Sequence, residues 1–139
     1  MFRDFSEEKI KRAIHMAGLD SLINERGLNY PCGENGSNLS GGECQRISIA
    51  RSLLRNSPIM LVDEATASLD AETAYSITNS ILSISDLTRI IVTHRLEESI
   101  LRKYDRIYVL KDGGLCESGD FESLMNQKGH FYSLYTIAQ

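Results

Sequence analysis

Two stretches of the sequence combine residue types that can act on a charged oxygen. The first is Ser40-Gly41-Gly42-Glu43, where a hydroxyl and a carboxylate bracket two glycines. This is the spacing of a capping box, in which the serine hydroxyl accepts from the backbone of the fourth residue and the glutamate reaches back. Such a cap is worth about 1 kcal/mol and accounts for Ser40 and Glu43. It does not account for the glycines, each of which costs a first helical turn roughly 0.5 to 1 kcal/mol relative to alanine. Without Cβ atoms they leave the amides of a helix start open, and that end carries about half a positive charge, so a phosphate can approach the backbone closely. A cap without ligand and an anion site are both consistent with these residues.

The second stretch is Asp63-Glu64, which follows the apolar run Ile59-Met60-Leu61-Val62. Acids placed after an apolar strand lie at the carboxyl edge, where open α/β sheets take their ligands. There Asp63 can hold Mg²⁺ directly or through water, and Glu64 can orient or deprotonate an attacking water. The alternative is that one of them merely caps a following turn. His94 follows a second apolar run in the same way; it is either a solvated side chain or a donor to a phosphate oxygen at that edge. Asp70, in Ser68-Leu69-Asp70, reads on its own as the N-cap of a helix starting at Ala71. His15 and His130 have no comparable context.

The elements that must position these residues follow from periodicity and turn formers. Ser6-Glu7-Glu8 starts a helix over about 6–17, stopped by Gly18, with a shorter one around Ser21 to Glu25. Gly27 to Gly36 is rich in turn formers and reads as a loop. From Ser40, the residues Ile47, Ala50, Leu53 and Leu54 share a helical face up to Asn56, and Pro58 closes that helix. Ile59 to Val62 has the pattern of a strand buried on both faces, as in parallel sheets. A helix over Ala71 to Ile84, a second buried strand over Arg89 to Thr93 and a helix over Leu96 to Leu101 continue an α/β layer. Arg106 to Lys111 and Leu115 to Ser118 flank the hairpin signal Asp112-Gly113-Gly114. Helices at Phe121 to Asn126 and from His130 finish the chain. The natural division is a helical part, 1–57, and an α/β part, 58–139.

With 139 residues, 42% hydrophobic and 24% charged, the chain is sized and composed for one globular domain. The net charge of −4 lends no support to a nucleic-acid partner. No apolar run approaches the ~20 residues of a spanning helix, and the charged start lacks the apolar stretch of a secretory signal. A soluble, cytosolic polypeptide is expected unless it is tethered to something else. Cys32, Cys44 and Cys116 have no zinc spacing and read as reduced structural thiols.

Taken in order and spacing, these pieces resemble the nucleotide-binding domain of ABC transporters. Leu39-Ser40-Gly41-Gly42-Glu43 looks like the family signature, Ile59 to Glu64 like its Walker B strand with the catalytic glutamate, Ser68-Leu69-Asp70 like its D-loop and His94 like its switch histidine. The resemblance extends over nearly the whole chain. It implies a P-loop NTPase-like partial parallel sheet with a helical subdomain carrying the signature helix. It implies ATP and Mg²⁺ as ligands of the intact domain, with Leu39, Ser40, Gly41, Gly42, Glu43 and Asp70 at the nucleotide, Asp63 at the metal, and Glu64 and His94 catalytic. Gly33-Glu34-Asn35-Gly36 is similar to the loop that exporter-type domains place against their membrane partner. Glu34 is therefore the expected contact to a transmembrane domain, on the cytoplasmic side of the cell membrane.

The other implied partner is a second nucleotide-binding domain, as a homodimer or heterodimer, whose phosphate loop would face the signature. Glu43 departs from the usual glutamine, and a carboxylate there is expected to point away from phosphate. None of the 10 glycines is followed by lysine, so the Gly-x-x-x-x-Gly-Lys-Ser/Thr phosphate loop is absent, as is the family's Q-loop. The chain alone is thus expected not to hydrolyse ATP. In related P-loop sheets the strand leading into the phosphate loop lies between the strand before His94 and the one corresponding to Arg106 to Leu110, and the edges left by its loss are expected to close on each other, pair with a second copy, or leave the α/β part loose. A non-catalytic dimerisation or regulatory module derived from the family, or a non-transport ABC ATPase, is the alternative.

Overall fold

The computed structural model describes residues 5–138. The elements follow one another as helices α1 (Glu7–Met16), α2 (Asp20–Arg26) and α3 (Gly41–Leu54), strand β1 (Ile59–Asp63), α4 (Ala71–Leu82), β2 (Thr88–Val92), α5 (Glu98–Leu101), the strands β3 (Ile107–Lys111) and β4 (Gly114–Gly119), and helices α6 (Phe121–Gln127) and α7 (His130–Ala138). Every expected element is present, with ends that coincide or are displaced by at most two residues, as fraying termini allow.

The chain forms two compact units, one running to Val92 and the other starting at Thr93. This boundary lies well beyond Pro58, where the pattern changes from helical to α/β. The reason is a shared core: Ala13 and Ala17 of the first helical region, Ile49, Ala50 and Leu54 of α3, Met60 and Val62 of β1, and Ala74, Ile77 and Ile81 of α4 form one apolar cluster. Burial at this scale holds an element far more firmly than its position in the chain, at roughly 25 cal/mol per Å².

In the first unit β1 and β2 pair in parallel, with Leu61 opposite Ile90 and Asp63 opposite Val92. The expectation that both strands are buried on both faces is not met. Met60 and Val62 are 9% and 6% exposed, whereas Ile59, Leu61, Ile90 and Val92 are 58%, 68%, 54% and 49% exposed. Side chains alternate across a strand, and the helices cover only one side of this sheet. Arg89 is fastened on the covered side, donating from Nε to the Ile81 carbonyl at 2.9 Å and from its other end to Ile84. Among the described residues β1 and β2 form one two-stranded sheet and β3 and β4 another.

In the second unit β3 and β4 are antiparallel, with Lys111 opposite Gly114 and a bulge where Leu115 and Glu117 oppose Leu110 and Val109. Asp112 (φ 51°) and Gly113 (φ 77°) form the turn, as the type I′ geometry of a two-residue hairpin requires. Leu101, Val109, Phe121, Leu124, Phe131 and Tyr135 make the core. The rings of Phe121 and Tyr135 meet edge to face at 5.4 Å. The cysteines are free, and only Cys44 is partly buried, while Cys32 and Cys116 are exposed; a packing role fits Cys44 alone.

Candidate functional site

The start of α3 is built as its sequence spacing demands. Ser40 is extended (φ −69°, ψ 160°) and its hydroxyl accepts from the Glu43 amide at 3.2 Å, while Glu43 Oε2 accepts from the Ser40 amide at 2.7 Å. The capping box is complete, and Glu43 is consumed by it. Its other oxygen faces Arg26 at 3.6 Å. The Ser40 backbone hydrogen bond, helped by Arg26, holds the Glu43 carboxyl below its ordinary range, as a carboxylate at a helix start should be. Glu43 thus turns back onto its own helix, and the amides of Gly41 and Gly42 remain the open feature of this turn.

The two glycines are not equivalent. A Cβ built on Gly42 would stand 3.0 Å from Leu69 Cδ2 and 3.7 Å from the Ser68 carbonyl oxygen. Position 42 is therefore glycine because the Ser68–Leu69 segment packs onto it. A Cβ on Gly41 would meet nothing within 4 Å. Helix packing offers no reason for glycine at 41, so the argument for ligand access rests on that residue.

The Ser68–Asp70 segment joins this turn to the end of β1. Gln45, one helical turn beyond Gly41, exchanges two hydrogen bonds with Ser68: Nε2 donates to Oγ and Oε1 accepts from the backbone amide, each at 3.3 Å. Leu69 is 7% exposed, which anchors the loop, and Asp70 caps α4 by accepting from the Thr73 amide at 2.9 Å. That backbone hydrogen bond also holds the Asp70 carboxyl below its ordinary range. Asp70 is thus an N-cap, as its sequence position suggests.

Asp63 ends β1 and Glu64 begins the turn beyond it, both exposed. The Glu64 amide donates to the Val92 carbonyl at 3.0 Å, extending the ladder by one residue. Glu64 then leaves the strand in the left-handed region, at φ 45°, a conformation that costs a non-glycine residue of order 1 to 2 kcal/mol. Strain of this kind collects at functional sites. Sequence spacing gives no sign of it.

His94 is exposed, two residues past β2, and belongs to the second unit. Glu34 opens a short 3₁₀ turn, Glu34–Gly36, and is exposed. Leu39 is half-buried, and its amide donates to the Gly36 carbonyl at 2.9 Å. The structure thus brings Ser40 to Glu43 together with Ser68 to Asp70, and continues through one turn to Asp63 and Glu64. Gln45 is the member of this group that sequence reasoning missed. A polar residue within a helix carries no local signal.

Residues 4–67 match the family described as ABC transporter. The chain is 43% identical over 132 residues to the beta-(1-->2)glucan export ATP-binding/permease protein NdvA of Bartonella bacilliformis, covering 93% of this chain and 22% of that protein. It is 42% identical over 138 residues to the ATP-dependent lipid A-core flippase of Neisseria meningitidis, covering 97% of this chain and again 22% of the relative. A solved bacterial Atm1-family ABC exporter with ATP bound superposes with a TM-score of 0.82 at 36% identity, over 95% of this chain and 23% of that one. The chain spans less than a quarter of the length of the proteins it matches. It belongs to the ABC transporter family and corresponds to a portion of the ATP-binding domain of that family's exporters.

Proposed function

We propose that this segment supplies the signature half of one ATP site and the Walker B half of another within an intact ABC exporter. Residues 1–57 form the signature-bearing helical part and 58–139 the carboxy-terminal α/β part. The observation that carries the reading is Gly41, a glycine at a fully capped helix start where a side chain would meet nothing within 4 Å. Ser40, Gly41 and Gly42 donate to the γ-phosphate of a nucleotide held by the phosphate loop of a second nucleotide-binding domain. Leu39 and Glu43 shape that turn without touching phosphate, and Asp70 sits beside it.

On the Walker B side Glu64, lifted out of β1 by its left-handed backbone, orients the attacking water and takes its proton. His94 donates to the γ-phosphate. Among the described residues no three His, Cys, Asp or Glu side chains gather as a metal site. Asp63 is an exposed carboxylate at the strand end, which fits Mg²⁺, an ion held by one or two carboxylates together with water and phosphate oxygens. When bound, the metal would neutralise charge on the β- and γ-phosphates. Glu34, exposed on its 3₁₀ turn, is the contact to the transmembrane domain. No helix among the described residues is long and apolar enough to cross a membrane.

The chain by itself has no Gly-Lys pair, and hence none of the loop that supplies most phosphate-binding amides. It is not expected to turn over ATP alone; micromolar, Mg²⁺-dependent binding of a fluorescent ATP analogue to the 139-residue chain would contradict this. In the intact exporter, Glu64→Gln should leave ATP bound but reduce hydrolysis at least about a hundredfold, as loss of a general base does. Unchanged turnover would reject Glu64 as the base.

A further inference from the structure

We propose that Gln45 is a positioning residue that locks the start of α3 to the Ser68–Asp70 loop, so that the phosphate-facing turn and the carboxylates at the end of β1 shift as one body. The inference rests on the reading of Ser40 to Gly42 and Glu64 given above. Gln45 and Ser68 are 23 positions apart in sequence and joined by two hydrogen bonds of 3.3 Å. From Ser68 the chain of contacts runs both ways. Toward β1, the Leu69 amide donates to the Thr66 carbonyl at 3.1 Å and the Ala67 amide to the Glu64 carbonyl at 2.9 Å. Toward α4, Asp70 holds the Thr73 amide.

The apolar contact and the polar contact at this junction do different work. Leu69 packs where Gly42 leaves room, but a leucine methyl against a glycine is non-directional and lets the loop slide along the helix. A planar amide that donates with one atom and accepts with the other admits one orientation of Ser68. It satisfies both the backbone amide and the hydroxyl, so a slip of one residue would break both bonds. The loop whose first residue is the strained Glu64 is thereby indexed to the helix start that presents the Gly41 amide. On the functional reading these two features serve different ATP sites, and Gln45 is where the chain joins them.

The test has two arms. In the 139-residue chain, Gln45→Ala should speed hydrogen exchange of the Ser68 and Leu69 amides about fivefold, the loss of one ordinary hydrogen bond, with Ile49 and Ile77 unchanged. Gln45→Glu keeps the acceptor and lets the Ser68 hydroxyl donate, so it should restore protection to within about twofold. In the intact exporter, Gln45→Ala should lower kcat for ATP about tenfold with KM within about twofold, the pattern of an interaction felt in the transition state, and Gln45→Glu should recover kcat. Unchanged kcat in Gln45→Ala, or exchange that rises equally along α3 and α4, overturns the proposal. Failure of the unsubstituted exporter to hydrolyse ATP overturns the functional reading and the catalytic half of this one, while the exchange arm alone still decides whether Gln45 and Ser68 are linked.

Discussion

Alanine at position 41 separates a glycine kept for a ligand from one kept for packing. Gly41 is the first residue of α3, its φ is not in the positive region, and an added Cβ meets nothing within 4 Å. Alanine should therefore stabilise the helix by about 0.5 to 1 kcal/mol, from propensity and from a smaller unfolded-state entropy. At position 42 the same gain is offset by the 3.0 Å approach to Leu69 Cδ2. Leu69 is buried and must yield, and overpacking of this kind costs typically 1 to 3 kcal/mol. Gly42→Ala should thus destabilise.

Hydrogen exchange at Ile49 and Ala50, buried in the middle of α3, reads both effects in the unit that carries the site. Exchange should slow about two- to fivefold in Gly41→Ala and quicken in Gly42→Ala. In the intact exporter Gly41→Ala should nonetheless lower ATP turnover at least about tenfold, because a methyl group displaces the phosphate from the amides. Stability rising while activity falls is the mark of a residue retained for function. If Gly41→Ala destabilises α3, or leaves turnover untouched, the ligand argument for that glycine collapses.

Four further outcomes follow from the same structure. The Glu117 carboxylate accepts from the amides of His130 and Phe131 at the start of α7, and the Phe131 bond first, then His130, holds its pKa below the ordinary 4.5. A depressed carboxyl contributes stability above its unfolded value that is lost as pH falls through the folded value, so melting of α7 followed by circular dichroism should show an acid limb below about pH 4.5 that Glu117→Gln removes. Gly129→Ala should loosen the same helix start at neutral pH, since its Cβ would collide with the Glu117 carboxylate. Asp70→Ala should expose the Thr73 amide to exchange, whereas Asp70→Asn, also a good N-cap, should not. Leu61→Lys, at a position 68% exposed, should change the unfolding free energy measured by urea denaturation by less than about 0.5 kcal/mol.

What could be read from the sequence was local. Ser40 with Glu43, Asp70 with Thr73 and the Asp112-Gly113 turn each depend on residues within three positions, so residue type and spacing suffice. The candidate site was legible to the same extent, as separate motifs in order. What joins the motifs was not. The Gln45–Ser68 bonds bridge 23 positions, and neither residue is unusual for a helix or a loop. The distinction between Gly41 and Gly42 depends on Leu69, which no periodicity marks as buried. The backbone of Glu64 was hidden too, because its left-handed turn is imposed by the Val92 carbonyl and the turn to Ala67 against the preference of a glutamate.

The strands show the opposite failure, in which the sequence describes more burial than the described residues supply. Ile59 to Val62 is apolar at every position, and such a run signals cover on both faces because a half-covered strand alternates. In the structure the alternation appears in burial, not in residue type: Met60 and Val62 are inside while Ile59 and Leu61 lie in the open. Ile90 stands opposite Leu61 and Val92 opposite Asp63, so four large apolar side chains lie exposed on one face of the parallel pair. Such patches mark surfaces that meet something else. The same rule that correctly identified the strands therefore erred on their surroundings, because residue pattern records the environment a segment is suited to, whereas the fold of one chain records only the environment that chain provides.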